Sequence, residues 1–178
     1  ADMKILFMRE AEKRHALPID DRLFERFIPT MVNRPDLMAG RTSMTLAQGM
    51  TGMTENVFLN MKNRSSTITA EVEVADETTA HGAVIVQGGR FGGWALYVKD
   101  GMPAYDYNFL GMQVFTIASR ETLKPGKTTI RFEFAYDGGG LGKGGTGTLY
   151  VNDRKVAEGR IERTQPMVFS ADETADVG

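Results

Sequence analysis

Residues 128–152 read TTIRFEFAYDGGGLGKGGTGTLYVN, and this stretch decides the fold class. Its first nine residues alternate polar and apolar side chains, the period of two that is typical of a strand with one buried face. Its last five residues alternate in the same way. Seven glycines lie between Asp137 and Thr148. Because glycine adopts positive φ angles without steric cost, they predict a wide, flexible loop between two strands.

Short segments of the same kind continue along most of the chain. They read SMTLA, NVFLN, STITAEVEV, HGAVIVQG, GWALYVK, AYDYNF, QVFTIAS, KVAEGR and MVFS. Asp100-Gly101 is a strong two-residue hairpin signal, and Asn152-Asp153 is a weaker one. No helical pattern separates the segments, so we predict a mainly β domain: an antiparallel two-sheet β-sandwich, a lectin-like jelly roll. The alternation predicts the following inward-facing side chains: Ile68, Ala70, Val72, Val74, Trp94, Leu96, Val98, Phe132, Phe134, Leu149 and Val151.

The first 40 residues have a different character. Met3 to about His15 favours a short helix, which Leu17-Pro18 ends. An irregular connector follows, with one turn of helix expected over 20–27. Its apolar residues are expected to lie on a larger body or to promote self-association, and they are Leu23, Phe24, Phe27 and Ile28. We therefore predict a helical and irregular segment over 1–40 and the β-sandwich domain over 41–178.

Composition excludes several classes of function. The 178 residues include 21 basic and 23 acidic ones, so neither a nucleic-acid partner nor a membrane surface is indicated. No apolar run approaches the roughly 20 residues needed to span a bilayer, and the chain shows no signal peptide. Without cysteine, thiol catalysis, thiolate zinc sites and disulfides are excluded. Localisation stays open between the bacterial periplasm and the cytoplasm.

The motifs point to no catalytic residue, cofactor site or metal site on this chain. Gly140, Gly142 and Gly145 satisfy G-x-G-x-x-G. However, a strand follows them, whereas pyrophosphate binding needs a helix N-terminus. The remaining candidates are interpreted as solvated surface: His15, His81, the pairs Asp20/Asp21 and Glu71/Glu73, and the turn aspartates Asp137 and Asp153, the two calcium-ligand candidates.

An aromatic sheet face is the strongest candidate for ligand binding. Tyr105, Tyr107 and Phe109 project together from AYDYNF, and Tyr97 stands opposite Trp94 on the neighbouring strand. With polar groups near its edge, such a face can stack sugar rings. Packing is the commoner role of aromatic residues in strands, and we favour it. The candidate glycan-binding residues are Arg90, Trp94, Tyr97, Tyr105, Tyr107 and Asn108.

Two long runs carry a resemblance to a known family. Residues 88–111, GGRFGGWALYVKDGMPAYDYNFLG, and residues 123–164, LKPGKTTIRFEFAYDGGGLGKGGTGTLYVNDRKVAEGRIERT, closely resemble the C-terminal β-domain of bacterial arylsulfatases. These enzymes belong to the alkaline-phosphatase-like sulfatase superfamily. Residues 10–27, EAEKRHALPIDDRLFERF, together with GRTSMTL and MKNRS further on, resemble the connector that enters this β-domain. The resemblance covers about 6–178.

The resemblance implies a non-catalytic domain that packs on a sulfatase catalytic domain. The family's formylglycine motif, Cys/Ser-x-Pro-x-Arg, lies upstream of the matched region, as do the ligands of its divalent metal, expected to be calcium. None of the six prolines here fits that motif, since the residues two before them are Ala16, Phe27, Asn33, Gly101, Leu123 and Thr164.

The resemblance also places the glycine loop and the RFGGW turn, residues 90–94, at the junction with the partner domain or beside the substrate cleft. The partners expected are therefore the sulfatase catalytic domain, a sulfated or carbohydrate ligand, and a second copy docked through the connector. The alternative function is an independent carbohydrate-binding module. A glycoside hydrolase built on the same sandwich ranks last, since no motif for its two carboxylates is present.

Overall fold

A computed structural model describes residues 2–18, 37–76, 80–170 and 172–178. The chain divides into two compact units, Ala1–Pro35 and Asp36–Gly178. The boundary expected at residue 40 stays a prediction. The helical turn expected over 20–27 and the apolar residues of the connector lie outside the described residues.

The described part of the first unit is a helix, α1, over Asp2–Lys13. Asp2 lies in its first turn and Lys13 in its last, which matches the helix dipole at both ends. Apart from Ala11, its residues are exposed, including these large apolar side chains: Met3, Ile5, Leu6, Phe7 and Met8. The helix is therefore rich in exposed apolar side chains.

The second unit is an antiparallel two-sheet β-sandwich, which confirms the predicted fold class. Its described residues form nine strands: β1 Ser66–Val74, β2 Gly82–Gly89, β3 Gly92–Lys99, β4 Met102–Phe109, β5 Gln113–Ala118, β6 Gly126–Tyr136, β7 Lys143–Val151, β8 Arg154–Arg163 and β9 Ala175–Val177. One sheet has the order β1-β6-β7-β8, and the other has the order β5-β4-β3-β2-β9. Both sheets are open, so neither closes into a barrel.

Both predicted two-residue hairpins are present. Asp100 and Gly101 join β3 to β4 with φ angles of 51° and 76°. Asn152 and Asp153 join β7 to β8 with φ angles of 47° and 63°. Two consecutive positive φ angles are the mark of the type I′ turn, whose twist matches that of the strands it joins.

Three predicted strands are wrong, and one strand was missed. SMTLA forms no ladder, the 3-10 turn Glu55–Val57 overlaps the start of NVFLN, and MVFS is irregular. The missed strand, β9, pairs with β2 and is flanked on its other side by a bridge to Met53. Backbone hydrogen bonds with distant segments hold this strand, and three residues are too few for their alternation to be recognised.

The prediction of a loop over the whole glycine run is also wrong. The loop covers 137–142 only, and Gly144, Gly145 and Gly147 belong to β7. This strand lies inside its sheet, paired with β6 on one side and β8 on the other. A Cβ at Gly147 would lie 2.4 Å from Cδ1 of Ile117. The glycine is needed because side chains of the core fill the space where its own side chain would be.

The hydrophobic core lies between the two sheets. Tyr105 stacks on Phe132 of the opposite sheet, with the ring centroids 3.6 Å apart. Leu96, Ile130 and Leu149 are completely buried. All the predicted inward-facing side chains are buried or half-buried, so alternation identified the inner face correctly.

A buried ion pair ties the segment before β1 to the segment after β8. The Lys62 ammonium contacts the Glu55 carboxylate and lies 4.9 Å from the ring centroid of Phe169. The other oxygen of Glu55 accepts a hydrogen bond of 2.9 Å from the backbone N–H of Phe169. Each charge is therefore compensated, as burial requires.

Candidate functional site

Three of the predicted glycan-binding residues lie in the core. Trp94, Tyr105 and Tyr107 are only 4–5% exposed. The Trp94 indole donates a hydrogen bond of 3.0 Å to Gln87, and the Tyr107 hydroxyl accepts one of 2.7 Å from the backbone of Gln165. These rings pack against core residues, as the favoured interpretation expected, and they do not form an exposed stacking face.

The buried tyrosines stay neutral over the physiological range. Burial raises the pKa of Tyr105 well above its ordinary value, and the neighbouring Tyr107 adds to the effect. Burial also raises the pKa of Tyr107, although its hydrogen bond from Gln165 acts in the opposite direction. Neither hydroxyl has the lowered pKa that a nucleophile or general base would need.

Tyr97 lies on the outer face of the five-stranded sheet, with a carboxylate beside it. Its hydroxyl donates a hydrogen bond of 3.1 Å to Asp106, whose other oxygen accepts one of 2.6 Å from the Thr116 hydroxyl. Burial, with the Asp106 charge second, raises the pKa of Tyr97 to about 12. The outer face thus carries one small polar cluster with an aromatic ring.

The remaining candidates, Arg90 and Asn108, meet at one end of the same sheet. The Asn108 amide donates hydrogen bonds of 2.6 Å and 3.0 Å to the carbonyls of Gly89 and Arg90. Its oxygen accepts one of 2.9 Å from the N–H of Gly111. Asn108 therefore connects the β2–β3 turn to the β4–β5 turn, and these bonds engage both its amide nitrogen and its oxygen.

These two turns expose large apolar side chains. Phe91 and Met112 are each 69% exposed, and Leu110 and Val114 beside them are also exposed. We call these four residues the turn-end surface. Phe91, Leu110 and Met112 lie in two- or three-residue turns, where a polar residue is the usual occupant, and Val114 is the second residue of β5. Exposed apolar residues grouped in this way mark interaction sites more often than free surface.

The glycine loop lies at the same end of the sandwich. Arg163, which pairs in register with Lys143 at the start of β7, donates a hydrogen bond of 2.9 Å to Gln113 at the start of β5. Leu141, in the loop itself, is 72% exposed. The end that carries the turn-end surface therefore carries a further exposed apolar side chain.

Side chains hold the glycine loop in place. The Tyr136 hydroxyl donates to the Gly140 carbonyl at 2.6 Å and accepts from the Lys143 N–H at 2.9 Å. Asn63 accepts from the Gly142 N–H at 2.8 Å and donates to the Pro166 carbonyl at 2.7 Å. These bonds fix both ends of the loop, so the backbone on both sides of Leu141 is held in place by hydrogen bonds.

This end of the sandwich carries unpaired cations. Within the described ranges, four basic side chains on or beside its connections form no ion pair: Arg64, Arg90, Lys143 and Arg163. The guanidinium of Arg163 lies 4.8 Å from the ring centroid of Phe109. Its charge is therefore held beside the apolar residues.

The outer face of the four-stranded sheet carries several ion pairs on β6, on β8 and at the β7–β8 turn. Arg131 contacts Glu133 and Asp153, and Lys155 lies 2.9 Å from Glu158. Ion pairs of this kind suit a face that stays in water. The Asp153 side chain is thus beside a guanidinium, which disfavours the calcium role considered for it.

Asp137 is the other calcium candidate, and it too is paired with a cation. It forms two hydrogen bonds to Arg160, which keep its pKa below the ordinary value. Glu71 and Glu73 are exposed on β1, and Asp20 and Asp21 lie outside the described residues.

The described residues contain no group of three or more His, Asp or Glu side chains suited to hold a metal ion. No helix in the same ranges is long and apolar enough to cross a membrane. A cavity of about 20 Å³ inside the sandwich has room for roughly one water molecule.

Comparison with known proteins adds no assignment, since no protein-family model and no curated protein matches the sequence. The resemblance to arylsulfatase β-domains stays a prediction. Sequence reasoning named Arg90 and Asn108 but missed the apolar residues beside them. A signal was present: Phe91, Met112 and Leu141 each lie next to a glycine in a turn.

Proposed function

We propose that this chain is the non-catalytic C-terminal β-sandwich domain of an arylsulfatase-like sulfuric ester hydrolase, which packs on the sulfatase core and stabilises it. The observation that carries the proposal is the exposed apolar end formed by the turn-end surface and Leu141. A domain that is solvated on all sides rarely groups such side chains. The resemblance implies a domain junction at the RFGGW turn and the glycine loop, and both of these segments supply residues to the exposed apolar end of the sandwich.

The helix α1 supports the same proposal. Its large apolar side chains are exposed, and apolar side chains grouped in this way mark interaction surfaces. By resemblance, α1 is the end of a helix that packs on the catalytic domain. That domain would hold the formylglycine and the divalent metal, and this chain would contribute stability and the shape of the substrate cleft.

The coding sequence and the activity of the protein test the proposal. We expect an adjoining upstream coding sequence that carries the formylglycine motif. We also expect the chain alone to release no sulfate from an aryl sulfate. The longer polypeptide should hydrolyse that ester and should lose activity at lower temperature when residues 41–178 are removed. An upstream sequence without the motif, or sulfate release by the chain alone, would contradict the proposal.

The alternative is an independent carbohydrate-binding module. Its support is the polar aromatic cluster of Tyr97, Asp106 and Thr116 on the outer sheet face. Calorimetric titration with glycans selected on an array should then show binding that Tyr97→Ala abolishes. Tyr150→Ala, on the other sheet, is the matched control. Absence of binding across a broad array would reject this alternative.

A further inference from the structure

We infer that the free edge of β1 pairs with β1 of a second copy of this chain, in an antiparallel register centred on Thr69. Two four-stranded sheets then become one sheet of eight strands. The inference goes beyond the proposed function, does not depend on it, and concerns a different surface from the connector. Two observations carry it: an edge strand without the usual protection, and a pattern of apolar and charged side chains that complements itself.

β1 is the edge of the four-stranded sheet, since only β6 pairs with it. All nine of its residues pair with β6, without a shift in register. On its other side, no backbone hydrogen bond reaches β1 from the ranges that the structure describes. Alternate N–H and C=O groups of β1 therefore point away from the sheet and can pair with another strand.

The other three edge strands of the described residues each have a feature that discourages pairing. β9 has only three residues, and Met53 forms a bridge on its outer side. β8 shifts its register opposite Leu149 and Tyr150, and six of its ten residues are charged. β5 is shorter than β1, and Arg163 of β8 is bonded to Gln113 at its start. β1 has no bulge, proline, lysine or arginine.

The inward side chains of β1 are incompletely covered. Ile130 and Phe132 in β6 are 0% and 1% exposed. Their register partners in β1, Ala70 and Ile68, are only half-buried, as is Val72. A strand added beside β1 would remove the rest of this apolar area from water.

A second copy supplies the matching strand. A two-fold axis perpendicular to the sheet keeps the two inner faces on the same side, so residues of the same face lie opposite each other. In the register centred on Thr69, Ile68 lies opposite Ala70 of the other copy, and the two Thr69 side chains face each other. Threonine pairs in this position stabilise a sheet, and the apolar pairs bury area.

The carboxylates of β1 exclude the alternative registers. Centring the pair on Glu71, Val72 or Glu73 would place carboxylates directly opposite each other, which destabilises a sheet. Centring it on Ala70 would place the two Glu71 side chains diagonally, at about 7–8 Å. Of the registers that avoid these contacts, the one centred on Thr69 pairs the longest stretch.

The same register brings opposite charges towards each other. Glu71 lies opposite Thr67 of the other copy. Glu73 lies opposite Ser65 of the other copy, which follows Arg64. Both glutamates and this arginine are exposed and form no ion pair within the described part of the chain. The acidic end of each β1 therefore meets the end of the other copy where a cation is available.

Disulfide crosslinking of the full chain tests the register, because the sequence has no cysteine. Opposite residues of an antiparallel pair have Cα atoms about 4.5–5.5 Å apart, which is within the range of a disulfide. The Thr69→Cys variant should therefore form a dimer that survives a non-reducing gel. Thr67→Cys and Glu71→Cys should each stay monomeric on the gel, since each residue lies about 14 Å from its own copy. An equimolar mixture of these two controls should crosslink.

Sedimentation velocity over a concentration series measures the association itself. We expect the wild type to dimerise as its concentration rises. Thr69→Glu places two more carboxylates opposite each other and should raise the dissociation constant at least about fivefold. Thr67→Lys, on the same exposed face, is the matched control: it faces Glu71 of the other copy and should leave the constant unchanged or lower it. Thermal unfolding checks that both variants are folded.

The possible results decide the inference. Crosslinking in the expected pattern, with a dimer that Thr69→Glu weakens and Thr67→Lys does not, supports it. A monomer at all concentrations overturns it. A dimer that Thr69→Glu leaves unchanged, or equal crosslinking of Thr69→Cys and Thr67→Cys alone, also overturns it, because the copies then meet through another surface or register. None of these results bears on the proposed function, since they concern only the association of the chain with itself.

Discussion

Replacing Gly147 by alanine would place a methyl group between the two sheets, at a point where the core leaves no space. The new Cβ would lie 2.4 Å from Cδ1 of Ile117 and 2.8 Å from Cζ of Phe132. Contacting carbon atoms normally lie about 3.5–4.0 Å apart. Ile117 can rotate or shift, but Phe132 is 1% exposed and stacked on Tyr105, so it has no free volume to enter.

The cost of this substitution follows from overpacking. Gly147 does not have a positive φ angle, so alanine meets no backbone strain there. Extra methyl groups in a packed core typically cost about 1–3 kcal/mol. For a protein of this size, each kcal/mol lowers the melting temperature by about 2–4 °C. We therefore expect a decrease of roughly 2–12 °C in thermal unfolding, with the free energy itself measured by urea titration.

A second substitution makes the prediction specific to this contact. Ile117→Val removes Cδ1 and by itself should cost about 0.5–1.5 kcal/mol. Combined with Gly147→Ala it should cost less than the sum of the two, by at least about 0.5 kcal/mol, because the clash is relieved. Thr146→Ala, on the outer face of β7, is the control and should stay within about 0.5 kcal/mol of the wild type. Full additivity, or a Gly147→Ala variant as stable as this control, would refute the reasoning.

Three further predictions concern other parts of the sandwich. Asn108→Ala loses the hydrogen bonds that join the two turns, and because water replaces part of them we expect the free energy of unfolding in urea to fall by about 1–2 kcal/mol. Aspartate keeps only the acceptor, so an Asn108→Asp variant as stable as the wild type would contradict this. Lys62→Met leaves the Glu55 carboxylate without its cation, so the free energy of unfolding should fall by about 3 kcal/mol by the same measurement, and it should fall less in Lys62→Arg. Equal stability of the two variants would count against a role for the charge. The pKa of Tyr97 is about 12 in the folded protein and 10 in the unfolded chain. Its contribution to stability should therefore be complete below pH 10 and lost as the pH rises to about 12. Between these pH values, the melting temperature of the Tyr97→Phe variant should decrease less than that of the wild type.

The strands could be predicted because burial on one face leaves a local record. In β1 and β6 most inward side chains are apolar and most of their neighbours are polar, so the period of two appears in the sequence itself. The type I′ turns are equally local, since Asp100-Gly101 and Asn152-Asp153 are residue pairs that tolerate positive φ. The arrangement of the strands in two sheets, with β9 beside β2, depends on contacts between distant segments and has no such record.

The candidate site was harder to predict because each face of β3 carries an aromatic ring. Trp94 and Tyr97 point to opposite faces of β3, and alternation does not show which ring is covered. The structure buries Trp94 with Tyr105 and leaves Tyr97 outside. The turn-end surface joins residues of two different hairpins, so it exists only once the register of β3 and β4 is set.

The sequence by itself determined that this protein is a β-sandwich with a short N-terminal helix, because alternation, turn residues and helix-ending signals act over a few neighbouring residues. Only the tertiary structure decided the role of the glycines in β7, the burial of the aromatic rings and the exposure of Phe91 and Met112 at one end. The physical reason is that the close approach of two sheets and the free area of a side chain depend on residues far apart in the chain, which no local pattern records.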